Sequence, residues 1–394
     1  MKIFEIGTGY TPIPAQMGAA TEIVVEELTR AFLEQGVSAE IVDIASCDRA
    51  PTDLPIREVA VPGWLCKTDV RLGVMHKLKR VAYSIALAGE LKKILRTAQE
   101  PVIFHFHNQY NLFFFLKLAP KALRKKVRIA YTNHSGIWRM DWQQIEAVIR
   151  KRYFQEAECM QKADLVFLLN EETRANIMKH LNVPAEKVKL ISNGVNTQVY
   201  RPLSQDEKSE ARAAWGLNGQ RVILQVGSVC ENKGQLRSLQ VLLPLMKEEP
   251  SLTYVYAGGI VDEEYHQKIG VFARDNGVEG QVRYLGMVSP GRELNAVYNM
   301  AEATIFSSGY ESFGMVVIES FSAGVPVLVD RRGPGHLGKG NIFYDQENIA
   351  DVLKRYVFDE REAYDALCSE ARKTAVEQYS WQCVAQDHLN AWMA

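Results

Sequence analysis

Two carboxylates lie eight positions apart, at Glu311 and Glu319, between a predicted strand and a predicted helix. If the whole span were helical, they would be separated by roughly 12 Å along the helix axis, too far to share one proton or one metal ion. That spacing instead suits the two ends of an elongated ligand. A helix that begins near Gly314 would offer backbone N–H groups to a phosphate. The segment therefore predicts an elongated ligand that carries phosphate.

Three of the eight histidines lie near predicted strand ends. His105 and His107 end one strand and His134 follows the next, and ligands bind at the carboxyl ends of strands in open α/β sheets. His105 and His107 point to the same face because side chains alternate along a strand. For His105, a buried and hydrogen-bonded ring is the alternative. The spacing lacks the pattern of known zinc sites, so no metal is predicted.

Short apolar runs alternate with longer segments of helical period, which is typical of strands joined by crossover helices in parallel sheets. The clearest helix is 21–33, with one apolar stripe. The predicted strands of the first series are 2–6, 39–43, 102–106, 128–132, 165–168 and 188–191, and those of the second are 222–226, 252–257, 282–284, 303–306 and 325–329. We expect an α/β fold with two Rossmann-like domains facing each other across a cleft, and Pro202 with the polar stretch 204–210 puts the boundary after residue 200.

Composition excludes several classes of protein. Of 394 residues, 47 % are apolar and 24 % charged, as in soluble globular proteins rather than disordered ones. The net charge of −1 argues against nucleic acid as a partner. No apolar segment has the length of a signal peptide core or a membrane span, and the scattered cysteines fit a reducing compartment, so we expect a cytoplasmic protein.

Several segments resemble one enzyme family. Residues 307–319 resemble the EX7E motif of retaining GT-B glycosyltransferases of the GT4 family. Residues 192–202 resemble the family's NGVD signature, with Asn196 in place of aspartate, and residues 225–234 resemble its phosphate-binding strand and loop. Residues 323–327 resemble its glycine-proline turn. In the first half of the chain, residues 17–20 resemble its glycine-rich loop and residues 132–136 its TxHG-like segment. The resemblance implies that residues 1–200 bind the acceptor, that residues 201–378 bind the nucleotide sugar, and that a terminal helix, 379–394, returns to the first domain.

The resemblance also implies roles for individual residues. Glu319 would bind the nucleotide ribose and Glu311 the donor sugar. The implied catalytic residues are Glu311, His134 and Lys233; the donor-binding residues are Gly18, Ser228, Lys233, Glu311, Phe313, Gly314, Met315, Glu319, Arg331 and Arg332; and the acceptor-binding residues are His107 and His134. No metal and no other cofactor is implied.

Departure of a diphosphate builds negative charge, which fixed cations and backbone dipoles must stabilise when no metal is present. Lys233 is the candidate cation. Ser228 stands where the family usually has an arginine, so this chain has one cation fewer, although a serine still donates one hydrogen bond. Arg331 and Arg332 follow the strand 325–329 directly and would favour an acidic donor such as a uronic acid.

Residues 57–128 carry fifteen cations against four acidic residues, a local excess of eleven. Such a face suits an anionic membrane surface or a lipid-diphosphate acceptor, and solvated helix faces are the alternative.

We therefore expect a retaining, metal-independent glycosyltransferase that moves a hexose or a uronic acid from a nucleoside diphosphate, with UDP favoured, to a glycan or lipid-linked acceptor. Bacterial polysaccharide synthesis at the inner membrane face would be the setting. Two alternatives are a GT-B sugar-nucleotide epimerase and a nucleotide-sugar-binding protein whose catalysis has decayed, the latter because Ser228 and Asn196 depart from the family pattern.

Overall fold

The computed structural model describes residues 1–15, 20–63, 74–148, 154–331, 337–345 and 348–393. The strands are β1 Lys2–Ile6, β2 Ser38–Ile44, β3 Ile56–Val59, β4 Val102–Phe106, β5 Val127–Thr132, β6 Leu165–Leu168, β7 Val188–Leu190, β8 Arg221–Val226, β9 Leu252–Ala257, β10 Val282–Tyr284, β11 Ala303–Phe306, β12 Val327–Asp330 and β13 Asn341–Tyr344. The helices are α1 Ala20–Glu34, α2 Val74–Thr97, α3 Gln109–Leu118, α4 Lys121–Arg124, α5 Trp142–Val148, α6 Phe154–Lys162, α7 Glu171–Leu181, α8 Gln205–Ala214, α9 Gln235–Glu248, α10 Glu263–Asp275, α11 Arg292–Asn299, α12 Met315–Ser322, α13 Ile349–Leu353, α14 Arg361–Gln378 and α15 Trp381–Met393.

The chain forms two compact units. Unit 1 contains residues 1–193 and 381–394 and holds a sheet of order β3-β2-β1-β4-β5-β6-β7. Unit 2 contains residues 194–380 and holds a sheet of order β10-β9-β8-β11-β12-β13. Neighbouring strands in both sheets are parallel. The predicted α/β class with two Rossmann-like sheets is confirmed.

The sheet of unit 1 is buried on both faces. Along β1, Ile3 belongs to one apolar cluster and Phe4 and Ile6 to another, as expected when alternate side chains point to opposite faces. Helices α1 and α15 supply the first cluster, while α2, α3 and α6 supply the second. Strands covered on both faces leave only the loops at their ends open to a ligand.

Helix α15 packs on unit 1, as the predicted returning helix requires. The rings of Trp392 and Phe32 have centroids 5.2 Å apart, and those of His388 and Phe167 are 4.6 Å apart. Gln35 Nε2 also donates to the main-chain oxygen of Gln382 at 2.8 Å. The last helix therefore completes one face of the first sheet.

The division between the units falls at Asn193 and Gly194, before the boundary that the sequence suggested. Residues 194–200 pack with unit 2, since Val195 N donates to Tyr379 O at 2.7 Å and Ser322 Oγ donates to Tyr200 O at 2.6 Å. The break in regular structure at Pro202 therefore lies inside unit 2.

Candidate active site

The first site element is a pair of loops at the carboxyl ends of β8 and β11, which are neighbours in the sheet of unit 2. Lys233 lies on the first loop and Glu311 on the second. Gly309 N donates to Asn232 O at 2.7 Å, and Asn232 Nδ2 donates to Tyr310 O at 3.2 Å. These bonds fasten the two loops together. The fold thus brings a cation and a carboxylate from distant parts of the sequence to one strand-end position.

Lys233 and Glu311 form a direct ion pair through Lys233 Nζ and Glu311 Oε1. Ser308 Oγ donates to the same carboxylate oxygen at 3.0 Å. The side chains are 26 % and 15 % exposed, so both remain reachable by a ligand. Gln225 Nε2 holds the Lys233 main-chain oxygen at 2.7 Å, which fixes the backbone beneath the cation. A diphosphate near this pair would meet the Lys233 ammonium, whose charge Glu311 partly balances.

Two glycines let the backbone approach this position. Gly234, with φ +73°, precedes α9, and a Cβ there would lie 2.5 Å from Ser307 O. Gly314, with φ +99°, precedes α12, and Val317 N donates to Gly314 O at 2.9 Å. The amides of Met315 and Val316 thus stand at the open end of the helix. Such amides are suited to bind phosphate oxygens.

Glu319 projects from α12 and accepts a hydrogen bond from the buried Tyr298, whose Oη lies 2.8 Å from Glu319 Oε2. Burial raises the pKa of Glu319 to about 7, and the Tyr298 hydrogen bond opposes that rise only in part. A carboxylate held by one oxygen has its other oxygen left for further hydrogen bonds. This arrangement is compatible with the ribose-binding role that the sequence suggests.

The remaining predicted donor residues are spread around these elements. Ser228 is exposed on the β8 loop, and its main-chain oxygen accepts from Gln235 Nε2 at 3.0 Å. The Phe313 ring is buried, with its centroid 5.9 Å from that of Tyr379, so this side chain is not open to a ligand.

Of the two arginines after β12, Arg331 lies with Nε 3.5 Å from Asp345 Oδ2 and its guanidinium over the Phe343 ring. A neighbouring carboxylate already balances its charge. Arg332 and Gly18 lie outside the described residues.

Unit 1 carries a separate candidate site, which is a buried polar cluster. Glu5, on β1, accepts from His105 Nδ1 at 2.9 Å through one carboxylate oxygen and from His107 Nε2 at 2.6 Å through the other. His107 Nδ1 lies 2.9 Å from His134 Nε2, and His105 Nε2 lies 2.7 Å from Thr132 Oγ1. Glu5, His105 and His107 are buried, while His134 is half-buried. The cluster therefore connects the sheet interior to a residue at the strand ends.

Burial alone would raise the pKa of Glu5, but the charge and hydrogen bonds of His105 and His107 outweigh it and lower the pKa to about 2. Burial lowers the pKa of His107 to about 4 and holds that of His134 well below its ordinary value. At neutral pH, Glu5 is thus ionised and both of these rings are neutral.

The structure changes the interpretation of His107. Both of its ring nitrogens are engaged and its side chain is fully buried, so the ring holds His134 and is not placed to contact an acceptor directly. Glu5 was not among the predicted site residues. Its signal in the sequence is a carboxylate with apolar neighbours on both sides, inside the predicted strand 2–6.

Among the described residues, Glu5, His105 and His107 each offer a metal-ligand atom, and these atoms lie within 4.8 Å of one another. However, Glu5 oxygens lie 2.6 and 2.9 Å from the ring nitrogens. Ligand atoms around a tetrahedral zinc ion are roughly 3.3 Å apart. The contacts therefore have the geometry of hydrogen bonds, and the cluster does not fit a metal in this arrangement.

Comparison with known proteins identifies the class. The crystal structure of Anabaena HepE in complex with UDP and glucose superposes over the full length of both chains, with a TM-score of 0.72 at 16 % identity. Sucrose-phosphate synthase from Thermosynechococcus elongatus gives a TM-score of 0.73 at 18 % identity, covering 100 % of this chain and 98 % of its own. The fold is therefore GT-B.

The sequence identifies the family. Residues 21–199 match the family described as "Glycosyltransferase Family 4", and residues 207–373 match "Glycosyl transferases group 1". The two matches together take in most of the chain, which belongs to the GT4-type glycosyltransferases.

Relatives agree with this assignment over part of their length. An uncharacterized glycosyltransferase of Methanocaldococcus jannaschii is 28 % identical over 236 residues, covering 58 % of this chain and 59 % of that protein. D-inositol 3-phosphate glycosyltransferase of Corynebacterium aurimucosum is 26 % identical over 252 residues, covering 60 % of this chain and 58 % of that protein. The chain thus matches about three fifths of the length of these curated relatives.

Proposed function

We propose that this glycosyltransferase moves a hexose from a UDP-sugar to a glycan or lipid-linked acceptor, with retention of configuration and without a metal. The observation that carries the proposal is the Lys233–Glu311 ion pair at adjacent strand ends, beside the open start of α12. A cation and helix amides suit a diphosphate, and a carboxylate suits a sugar ring that becomes positively charged.

In the proposed reaction, the bond between the sugar C1 and the diphosphate oxygen breaks, and an acceptor hydroxyl forms the new C1–O bond on the same face. The hydroxyl proton leaves with the diphosphate. Lys233 and the amides at Met315 and Val316 stabilise the charge on the leaving group. Glu311 stabilises the oxocarbenium-like sugar, and Glu319 holds the ribose hydroxyls.

Two observations bear on the donor. The structurally similar HepE was solved with UDP and with UDP-glucose, which favours a UDP-hexose. A uronic acid donor is the second candidate, because the Arg331 side chain is 59 % exposed and its 3.5 Å contact with Asp345 leaves the guanidinium reachable.

The test is incubation of the purified protein with UDP- and GDP-sugars, including UDP-glucose and UDP-glucuronic acid, with and without a membrane extract as the acceptor, in buffer containing EDTA. We expect UDP release from UDP-glucose at a rate unaffected by EDTA, and an α-anomeric product by NMR. A β-anomeric product would contradict retention, and loss of activity with EDTA that Mg²⁺ restores would contradict metal independence.

The same assay separates the alternatives. An epimerase would consume the donor with no acceptor and return an epimeric sugar, and a decayed protein would bind UDP without turnover. Neither the matching families nor the solved structures described above support the epimerase.

The acceptor side is proposed to involve a membrane surface. On α2, the side chains of Leu78, Val81 and Ile85 are 48 %, 40 % and 48 % exposed and follow helical spacing along one stripe. Lys77, Lys93 and Arg96 are exposed on the same helix. No helix in the described parts of the chain could span a bilayer. An apolar stripe with neighbouring cations is typical of a helix that lies on an anionic surface.

A further inference from the structure

The hydrogen bonds of the buried cluster have a definite direction. An ionised carboxylate only accepts, so Nε2 of His107, 2.6 Å from Glu5, carries a proton. A neutral imidazole has one N–H, so Nδ1 of His107 is an acceptor. Nε2 of His134, 2.9 Å away, must then be the donor. By the same count, Nδ1 of His134 carries a lone pair.

This assignment of protons requires the rings of His107 and His134 to be neutral. The ionisable groups that face His134 are Glu5 from β1, His105 from β4, His107 from the loop directly after β4, and His388 from α15. Burial keeps the pKa of His134 well below its ordinary value, with His107 and His105 acting in the same direction. Burial also lowers the pKa of His388 to about 3, so this ring adds no charge near pH 7.

His134 is the member of the chain Glu5–His107–His134 that reaches the strand ends. It follows β5, is half-buried, and meets His107 edge to edge, with ring centroids 5.2 Å apart and an interplanar angle of 22°. In the described parts of the chain, no hydrogen bond reaches its Nδ1. The ring is therefore fixed on one side and presents an acceptor nitrogen on the other.

We propose that Glu5 and His107 are positioning residues that hold His134 in its Nε2–H form, so that its Nδ1 accepts a hydrogen bond from a sugar hydroxyl. The proposal rests on the glycosyltransferase function given above. A hydroxyl can donate to this nitrogen, whereas a sugar that lacks the hydroxyl leaves it unpaired, so the arrangement selects for that hydroxyl.

The first test needs no turnover. In protein labelled with ¹⁵N-histidine, we expect the proton shared by the two rings to be bonded to His134 Nε2 and to show coupling across the hydrogen bond to His107 Nδ1. The signals are assigned with single variants of each histidine. A proton on His107 Nδ1, or a protonated His134 Nδ1 at pH 7, would overturn the proposal.

The second test compares two variants of the middle ring. H107Q keeps an N–H toward Glu5 and an oxygen toward His134, whereas H107F fills the space without either. We expect H107F to lower kcat at least tenfold with little change in the UDP-glucose KM, and H107Q to keep most of the activity. The control is H180Q, because His180 stacks on Trp142 elsewhere in unit 1. If H107F is folded by circular dichroism and fully active, positioning by His107 is wrong.

Titration with ligands locates the hydroxyl. If the ¹⁵N signal of His134 Nδ1 shifts with UDP-glucose but not with UDP, the hydroxyl that donates to this nitrogen belongs to the donor sugar. No shift with either, together with a low kcat of H107F, assigns it to the acceptor. No shift and no loss of kcat overturns the proposal. An inactive wild-type protein with the expected proton positions would instead mean that the proposed function fails while the hydrogen-bond chain stands.

Discussion

Tyr298 on α11 donates a 2.8 Å hydrogen bond to Glu319 on α12, so a buried hydroxyl fixes one oxygen of the carboxylate proposed to hold the ribose. Tyr298→Phe removes this donor with little change in volume. A hydrogen bond to a charged group contributes about 1.5 kcal/mol or more, so we expect the donor KM to rise roughly tenfold with kcat less affected. Steady-state kinetics with UDP-glucose measure this. Tyr364→Phe, which removes a hydroxyl bonded to Glu302 O, is the matched control and should leave the KM unchanged.

Glu319 gives the protein a pH dependence of stability. Its pKa is about 7 in the folded protein against 4.5 ordinarily, so between these values the folded state binds a proton that the unfolded state releases. Stability therefore falls as the pH rises through this window. Glu319→Gln removes this loss of stability. We therefore expect the Tm of the variant, relative to that of the wild type, to increase from pH 5 to pH 8. We also expect the donor KM of the variant to rise. An equal Tm difference at both pH values would argue against a buried, titrating Glu319.

Lys233→Met keeps the length of the side chain but removes its charge. We expect kcat to fall by about two orders of magnitude, as for loss of one group that stabilises a developing anion. Lys268→Met, which removes an exposed lysine paired with Glu264, is the control and should retain full activity. If both variants keep normal kcat, Lys233 does not stabilise the leaving group.

Ser228→Arg places a cation at the exposed position for which the family resemblance implies an arginine. The added charge should attract the diphosphate, and we expect tighter UDP binding by calorimetry, with a Kd lowered about tenfold. Ser228→Gln adds a similar bulk without charge and should not tighten binding. Equal effects of the two substitutions would show that charge is not the cause.

The exposed stripe on α2 predicts binding to anionic membranes. The triple variant Leu78→Gln, Val81→Gln and Ile85→Gln should reduce cosedimentation with phosphatidylglycerol vesicles several-fold, because less apolar surface enters the bilayer interface. Val271→Gln on α10, at a side chain 49 % exposed in unit 2, is the control. Equal sedimentation of the wild type and the triple variant would show that α2 does not contact the membrane.

The sequence predicts most strands to within two residues, including the edge strands β7 and β10, but it misses the edge strands β3 and β13. β1, β4 and β9 have the expected limits because apolar residues predominate in each of them and nearly every side chain is buried. β3 was missed, since Ile56–Val59 contains two charged residues and pairs only with β2 at the sheet edge. β13, at the edge of the second sheet, is only four residues long.

The same contrast holds for the candidate site. Lys233 and Glu311 are recognisable from local motifs, although their ion pair depends on how the sheet orders β8 and β11. Glu5 and Tyr298 have no such motif. Glu5 meets His105 across 100 residues of sequence, and Tyr298 resembles an ordinary core aromatic until its hydroxyl is traced to Glu319. Partnerships of this kind arise only when strands and helices are set beside one another.

Helix α15 has a consequence for the order in which the molecule assembles during synthesis. His388 and Trp392 cover the face of the first sheet that holds His105 and Phe167. A ribosome makes these residues only after all of unit 2 has been translated, so this face of the first sheet stays incompletely covered until translation has passed residue 380. The N-terminal half is therefore the half that matures last, and a nascent chain stalled before α15 should be the form that chaperones retain.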